Sequence, residues 1–227
     1  MASNFGKTIQ VSTFGASHGY AIGGIVEGLP CGHTIDIDEL RAFLKRRAPG
    51  QNQLQTQRKE ADIPEFLSGM VDGMLSGSPL AFMIRNTSQH SGDYNNLRDI
   101  PRPSHADFTA RMRYGDKVDM RGGGHFSARL TAPLCVAGGI ALQLLREKGI
   151  EIHGHLKQVG TIQDTPIDMV HPDMKALFEI ATEPIAMVDA DKRSEVENLV
   201  MKLKKDGDST GGIVEVVATG LPIGLEI

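Results

Sequence analysis

No tryptophan occurs among the 227 residues, and the three tyrosines and eight phenylalanines are few. Stacking platforms for single-stranded nucleic acid are therefore scarce. Positive charge is not in excess either: the formal net charge is −4, so no global basic field draws in a nucleic acid. Cysteine is limited to Cys31 and Cys135, too few for a disulfide framework and suited to a reducing compartment. The longest apolar stretch, Leu130 to Leu145, is interrupted by Thr131, Pro133 and Gln143 and is too short to span a bilayer. The N-terminal MASNFGKTIQ lacks the apolar core of a signal peptide. These absences lead us to expect a soluble, cytoplasmic protein with neither membrane nor nucleic acid as partner. Several chemical signatures are missing as well. There is no G-x-x-x-x-G-K-[ST], no G-x-G-x-x-G and no H-E-x-x-H. That removes the usual phosphate loop, the dinucleotide fingerprint and the helical zinc site.

Glycine, by contrast, is abundant, at 26 residues. A chain this rich in glycine needs left-handed turns or close backbone approaches, because each glycine costs folding entropy. Lys7 to Phe14 and Ala21 to Val26 read as strands joined by the turn "GASHG". Thr34 or Asp36 caps a helix through about Arg47 that shows Ile37, Leu40 and Leu44 on one face. "APGQNQ" ends it. Two apolar segments follow, Phe66 to Val71 and Pro79 to Ile84, then a polar stretch to about Pro103. Ser104 is placed to cap a short helix from His105, and Ser127 a longer one ending near Glu147 to Gly149. "IEIHGHLKQVG" reads as a strand, Pro166, Pro172 and Pro184 punctuate a mixed region, and "SEVENLVMKLKK" is a helix with the capping-box pair Ser194 and Glu197. "GGIVEVVATG" is the final strand. The pattern is α+β without the regular βαβ spacing of a Rossmann sheet. It reads as a single domain over residues 1–227, incomplete at its C-terminal end, because "LPIGLEI" closes nothing.

Although the chain is net acidic, its cations cluster. Residues 41 to 60 hold Arg41, Lys45, Arg46, Arg47, Arg58 and Lys59 against the single acid Glu60, and residues 98 to 129 hold six Arg and one Lys against four Asp. If the fold joins these stretches, they make a basic pocket for a small polyanion, since the arginine fork meets carboxylate and phosphate bidentately. Taken alone, Arg41 to Arg47 equally fits a solvated helix face. In "RGGGHFSARLTAP", residues 121–133, Gly122 to Gly124 allow backbone N–H groups to point at an anion or a flat ring, with Ser127 and Arg129 beside a helix N-terminus. The same glycines also fit a tight turn beneath a helix. Among eight histidines, His18 in "FGASHGYAIGG" and His105 in "RPSHADFT" sit in glycine- and arginine-rich company, where an imidazole serves as a proton donor near neutral pH. His153 and His155 share a strand face but lack a third ligand, so no metal is expected. His33, His90 and His171 fall to turns and surface.

Taken together, "FGASHGYAIGGIVEGLP", "RRAPGQNQLQTQRKE", "RPSHADFT" and "RGGGHFSARLTAPLCVAGGI" resemble, in order, the signature segments of the chorismate synthases. The first is similar to that family's G-[E/S]-S-H-G and the last to its R-G-G-G-x-x-S-[A/G]-R. The resemblance covers nearly all of the first 140 residues. It implies a β-α-β sandwich of antiparallel sheets with helices, and conversion of 5-enolpyruvylshikimate 3-phosphate to chorismate by 1,4-anti elimination of phosphate, in the shikimate pathway of aromatic amino acid biosynthesis. It also implies reduced FMN as cofactor, NADPH as a source for flavin reduction, and a homotetramer. Carried over residue by residue, His18 matches the histidine that protonates the departing phosphate and His105 the one that protonates reduced flavin. Ser17, Arg47, Arg102, Ser127 and Arg129 match substrate-binding positions. His125, Phe126 and Ser127, with Arg47, match flavin contacts.

Three departures stand out. Ala16 replaces the acid common before Ser-His. Gln53 stands where many members have a substrate-binding arginine, which removes a charge-assisted hydrogen bond worth about 1.5–3 kcal/mol. The family also runs on past residue 227, into a region that supplies most flavin contacts and a catalytic Arg-Ser-Asp motif. The alternative to an enzyme is therefore a non-catalytic remnant that binds anions or associates with intact subunits. A nucleotide-binding transferase is disfavoured by the missing Walker lysine.

Overall fold

A computed structural model describes residues 3–50, 54, 60–87, 100–103 and 105–225. The chain divides into two compact units, Met1–Gly50 with Gln57–Leu144, and Gln51–Thr56 with Leu145–Ile227.

In the first unit, strands β1 (Asn4–Phe5), β2 (Gln10–Gly15), β3 (Ala21–Glu27), β4 (Glu65–Ser68) and β7 (Leu80–Arg85) form an antiparallel sheet in the order β1-β2-β3-β7-β4. Strands β5 (Met70–Val71) and β6 (Met74–Leu75) make a small ribbon. Alternation along the strands puts Val11, Ile22, Val26, Leu80, Phe82 and Ile84 on one buried face. Helices α1 (Ile37–Arg47) and α3 (Thr131–Arg146) supply Leu40, Leu44, Val136, Ile140 and Leu144 to the same core. Burying each of these side chains stabilises the unit by about 1.5–3 kcal/mol. Asp36, not Thr34, caps α1 by accepting the Glu39 N–H at 2.9 Å. Gln143, a polar residue in an otherwise apolar helix, is explained by its partner. Its Oε1 accepts the Asp36 N–H at 2.8 Å and its Nε2 donates to the Asp36 carbonyl at 2.9 Å, which clips α3 to the start of α1. The run Arg121–Arg146 is long and apolar enough by composition to cross a membrane, yet 56% of its apolar window is buried inside the protein, as in a core helix.

The second unit centres on strand β8 (Glu151–Val159), flanked antiparallel by β9 (Ile162–Gln163) and β10 (Gly212–Thr219). Helices α4 (Met174–Ile180) and α5 (Ala190–Asp206) accompany this sheet. Leu177, Ile180 and Val217 make one small core, and Ile185, Met187 and Val196 another. His153 packs edge-on against Phe178 with ring centroids 6.1 Å apart. His155 is buried with Nδ1 3.3 Å from Asp164 and Nε2 3.1 Å from Glu215. Among the described residues no cluster has the geometry to hold a metal.

Local reading of the sequence needs four adjustments. The segment Phe66 to Val71 is broken at Gly69, whose φ of +81° turns the chain between β4 and β5. The short helix α2 (Asp107–Tyr114) starts at Asp107 rather than His105, and Ser104 lies outside the described residues. Helix α5 starts four residues ahead of Ser194, because Asp189 accepts the Asp191 and Lys192 N–H groups at 2.8 and 3.3 Å. Helix α4, unanticipated in a proline-punctuated stretch, is capped by Asp173.

Candidate functional site

The turn between β2 and β3 carries Ser17 and His18, both buried. It is fixed from three sides. The Gly19 N–H donates to the Ala16 carbonyl at 3.0 Å, and the Ser17 N–H donates to the Gly124 carbonyl at 3.0 Å. The Asn86 side-chain amide donates to the carbonyls of Ala16 and Gly19 at 3.1 and 2.8 Å. His18 is thus held on a rigid turn.

Opposite this turn runs the glycine loop. Gly122, Gly123 and Gly124 have φ of 59°, 85° and 56°, a succession of positive values that only glycine adopts without strain. At Gly122 the requirement is doubled. A Cβ there would lie 2.5 Å from His18 Nε2 and 3.1 Å from Ser17 Oγ. The bare backbone is what lets the His18 ring lie against the loop. His125 Nδ1–H donates to the Gly15 carbonyl at 3.0 Å, and the Ser3 hydroxyl donates to Nε2 at 2.8 Å. Those two bonds fix the His125 tautomer and tie the loop to β2. Phe126 packs between His125 and Tyr114, with centroids at 6.0 and 6.2 Å. Ser127 then accepts the Arg129 N–H at 3.3 Å and caps a short turn, Ala128–Leu130, that runs into α3.

A cleft of about 360 Å³ opens on this loop, lined by Arg102, His105, Ala106, Gly122, Gly123, Phe126, Ser127 and Ala128. His105 is exposed, and its Nδ1–H donates to the Pro103 carbonyl at 2.9 Å, so Nε2 is the ring atom left to exchange a proton. Arg102 is fixed by Asp107, with Nε to Oδ2 at 2.8 Å and Nη2 to Oδ1 at 3.0 Å. The Arg102 hydrogen bonds hold the Asp107 carboxyl below the usual carboxylate range, with His105 a smaller contributor.

The two cationic stretches do meet, but not as bare charge. Arg47 donates from Nη1 to Asp62 Oδ2 at 2.5 Å, and Arg129 donates from Nη1 to the other oxygen, Asp62 Oδ1. Arg47 also reaches the Ala128 carbonyl, on the cleft lining, at 3.4 Å. Arg129 Nε donates to Asn86 Oδ1 at 3.1 Å. Arg121 is likewise matched with Asp119, at 2.8 Å. Arg58, Lys59, Gln53 and His90 lie outside the described residues.

The structure therefore brings Ser17 and His18 against Gly122, and sets Arg102, His105, Phe126 and Ser127 around one cleft. It places Arg47 and Arg129 on a shared carboxylate behind it, and turns His125 toward β2. The sequence reading missed Asp62, Asn86 and Asp107. Asp62 falls two residues beyond the cation-rich window that ends at Glu60, so a slightly wider count signals it. Asn86 carries no local signal.

The sequence profile of the chorismate synthase family matches residues 9–226. Curated chorismate synthases from Lancefieldella parvula and Bacteroides thetaiotaomicron are 42% and 44% identical, each aligned over 99% of this chain and 62% of the relative. That of Ralstonia pickettii is 44% identical over 98% of this chain and 58% of its own length. A solved structure, described as a crystal structure of chorismate synthase, superposes with a TM-score of 0.71 at 25% identity, covering 93% of this chain and 58% of the other. The chain thus spans about three-fifths of the length of the relatives it matches.

Proposed function

The chain belongs to the chorismate synthase family, and from that premise we propose that its glycine loop binds 5-enolpyruvylshikimate 3-phosphate for the 1,4-anti elimination that yields chorismate and phosphate. In that reaction the allylic C–O bond to phosphate breaks, the C6 hydrogen leaves, and a second ring double bond forms, with no net redox change. The observation that carries the reading is the meeting of two histidines on one backbone segment. His18 lies directly against Gly122, and His105 lines the cleft that Gly122 and Gly123 floor.

His18, buried and held by a braced turn, supplies the proton to the departing phosphate oxygen. A buried donor in a fixed geometry needs little reorganisation when charge develops. Ser17 and the Ser127 hydroxyl orient the substrate, and Arg102, its fork fixed by Asp107, meets a carboxylate or phosphate. Arg47 and Arg129, both held by Asp62, supply further guanidinium groups beside this loop, Arg47 reaching the Ala128 carbonyl. His105, whose Nδ1–H donates to the Pro103 carbonyl, would use Nε2 to exchange a proton with a ligand held in the cleft.

The residues fit a flat ring such as a flavin. Gly122 and Gly123 present bare backbone to the cleft beside Phe126 and Ser127, and Phe126 offers an aromatic side chain. His125, Phe126, Ser127 and Arg47 are the residues assigned to that side. Reduced FMN, when bound, supplies the transient electron density that assists C–O cleavage in a redox-neutral reaction. On the same reading the protein works as a homotetramer, which sedimentation equilibrium checks.

The test is anaerobic incubation with 5-enolpyruvylshikimate 3-phosphate and reduced FMN, using this chain and the same chain extended to the length of its relatives. Chorismate absorbance and equimolar phosphate that both require reduced flavin are expected from the extended chain. Phosphate release independent of flavin, or no product from the extended chain, contradicts the proposal.

A further inference from the structure

Arg47 and Arg129 come from segments 82 residues apart in sequence, and two guanidinium groups this close repel one another. What lies between them is a single carboxylate. The Asp62 side chain has no solvent exposure, and each of its oxygens takes one arginine, Oδ2 that of Arg47 and Oδ1 that of Arg129. Its backbone sits at φ +50°, a left-handed conformation that aspartate tolerates better than most residues. The remaining contacts pin the arginines from the far side. Arg47 Nε donates to Thr131 Oγ1 at 3.3 Å, and Arg129 Nε donates to Asn86 Oδ1 at 3.1 Å. Asn86 in turn grips the turn that bears His18. Glu60, also buried, lies 3.9 Å from Arg129 Nη2 and accepts the Thr87 N–H at 3.0 Å.

We propose that Asp62 is the positioning residue of this arginine pair: its carboxylate fixes both guanidinium groups in place before an anion arrives, and anion binding depends on that order more than on net positive charge. The inference rests on the anion-binding reading above. It makes a prediction of unusual sign. If only charge mattered, removing an acid beside two arginines would tighten the binding of a phosphate. If Asp62 orders the pair, its removal lets the guanidinium groups separate and swing, and binding weakens in spite of the added positive charge.

The experiment uses the whole chain labelled with ¹⁵N, inorganic phosphate as the probe, and the variants Asp62→Asn and Asp62→Glu. In the unsubstituted chain the Nε–H protons of Arg47 and Arg129 should exchange at least tenfold more slowly than that of Arg41, whose side chain is 57% exposed. In Asp62→Asn both should approach the Arg41 rate and phosphate affinity should fall at least fivefold, while Asp62→Glu recovers part of each. Unchanged or tighter phosphate binding by folded Asp62→Asn overturns the proposal. Should that variant fail to fold, the unsubstituted chain decides: Arg47 exchanging as fast as Arg41 overturns it, and slow exchange with partial retention of phosphate binding by Asp62→Glu supports it. Failure of the unsubstituted chain to bind phosphate counts against the anion-site reading, and the exchange rates then still decide whether Asp62 orders the pair.

Discussion

Replacing Gly122 by alanine separates the backbone role of the glycine loop from its role in placing His18. Gly122 has φ 59° and ψ 26°, so an added Cβ costs about 1–2 kcal/mol in the left-handed region. That alone lowers the melting temperature by about 2–8 °C for a chain of this size. The Cβ would also lie 2.5 Å from His18 Nε2, whereas non-bonded carbon contacts settle near 3.5–4.0 Å. His18 must therefore retreat by about 1 Å, a displacement that typically costs on the order of 10²-fold in rate when the group takes part in chemistry. Gly207, the C-cap of α5, is the matched control. It has φ 68° and ψ 25°, and nothing lies within 4 Å of its Cβ position. Thermal melts, His18 ring resonances and, for the proposed reaction, turnover with reduced flavin added are the measurements. Both variants should lose similar stability, and only Gly122→Ala should shift the His18 signals and lose turnover. A Gly122→Ala variant that keeps its His18 signals and turnover, like Gly207→Ala, refutes the reasoning.

Three further outcomes are expected. His105→Ala should slow turnover by about 10²-fold or more, the scale of losing a general acid, and a loss under about threefold denies the ring that role. Asp107→Asn removes one partner of the buried pair with Arg102 and should cost about 3 kcal/mol at pH 7. Because Arg102 holds the folded-state carboxyl below its unfolded value, that stabilisation is present above about pH 4 and is lost as the pH falls through the lowered value. Urea melts of the two proteins should converge as the pH falls, and a gap that does not narrow in acid contradicts the assignment. Gly139 lets α3 approach α1, with Leu40 Cδ1 and Phe43 Cδ1 at 2.6 and 3.0 Å from its Cβ position, so Gly139→Leu should destabilise the protein by about 1–3 kcal/mol through overpacking. An unchanged denaturation midpoint rules that contact out.

What was legible in the sequence was mostly local. The helix cap at Asp36, the apolar stripe of Leu40 and Leu44, and the alternation through Ala21 to Val26 each depend on neighbours a few residues away. The glycine loop was legible for the same reason, since three successive glycines announce a backbone that other residues resist. The loop turns tightly beneath α3, and Gly122 and Gly123 also line the cleft. The clustering of cations was also visible, but its meaning was not. Whether Arg47 faces water or a carboxylate depends on Asp62, and whether Arg129 is held depends on Asn86, 43 residues earlier. Such pairings exist only once the sheet has folded, and no periodicity encodes them. Helix α5 shows the converse error, where a capping box at Ser194 and Glu197 matched a pattern but lost to Asp189, whose carboxylate reaches two free N–H groups.

The central claim is that one glycine loop gathers His18 and His105 about a single ligand. Titrating ¹⁵N-histidine-labelled protein with 5-enolpyruvylshikimate 3-phosphate tests it most directly. The account predicts that the ring signals of His18 and His105 move together with one dissociation constant while those of His33 and His171 stay still. Movement of only one of the two, or two distinct dissociation constants, contradicts it.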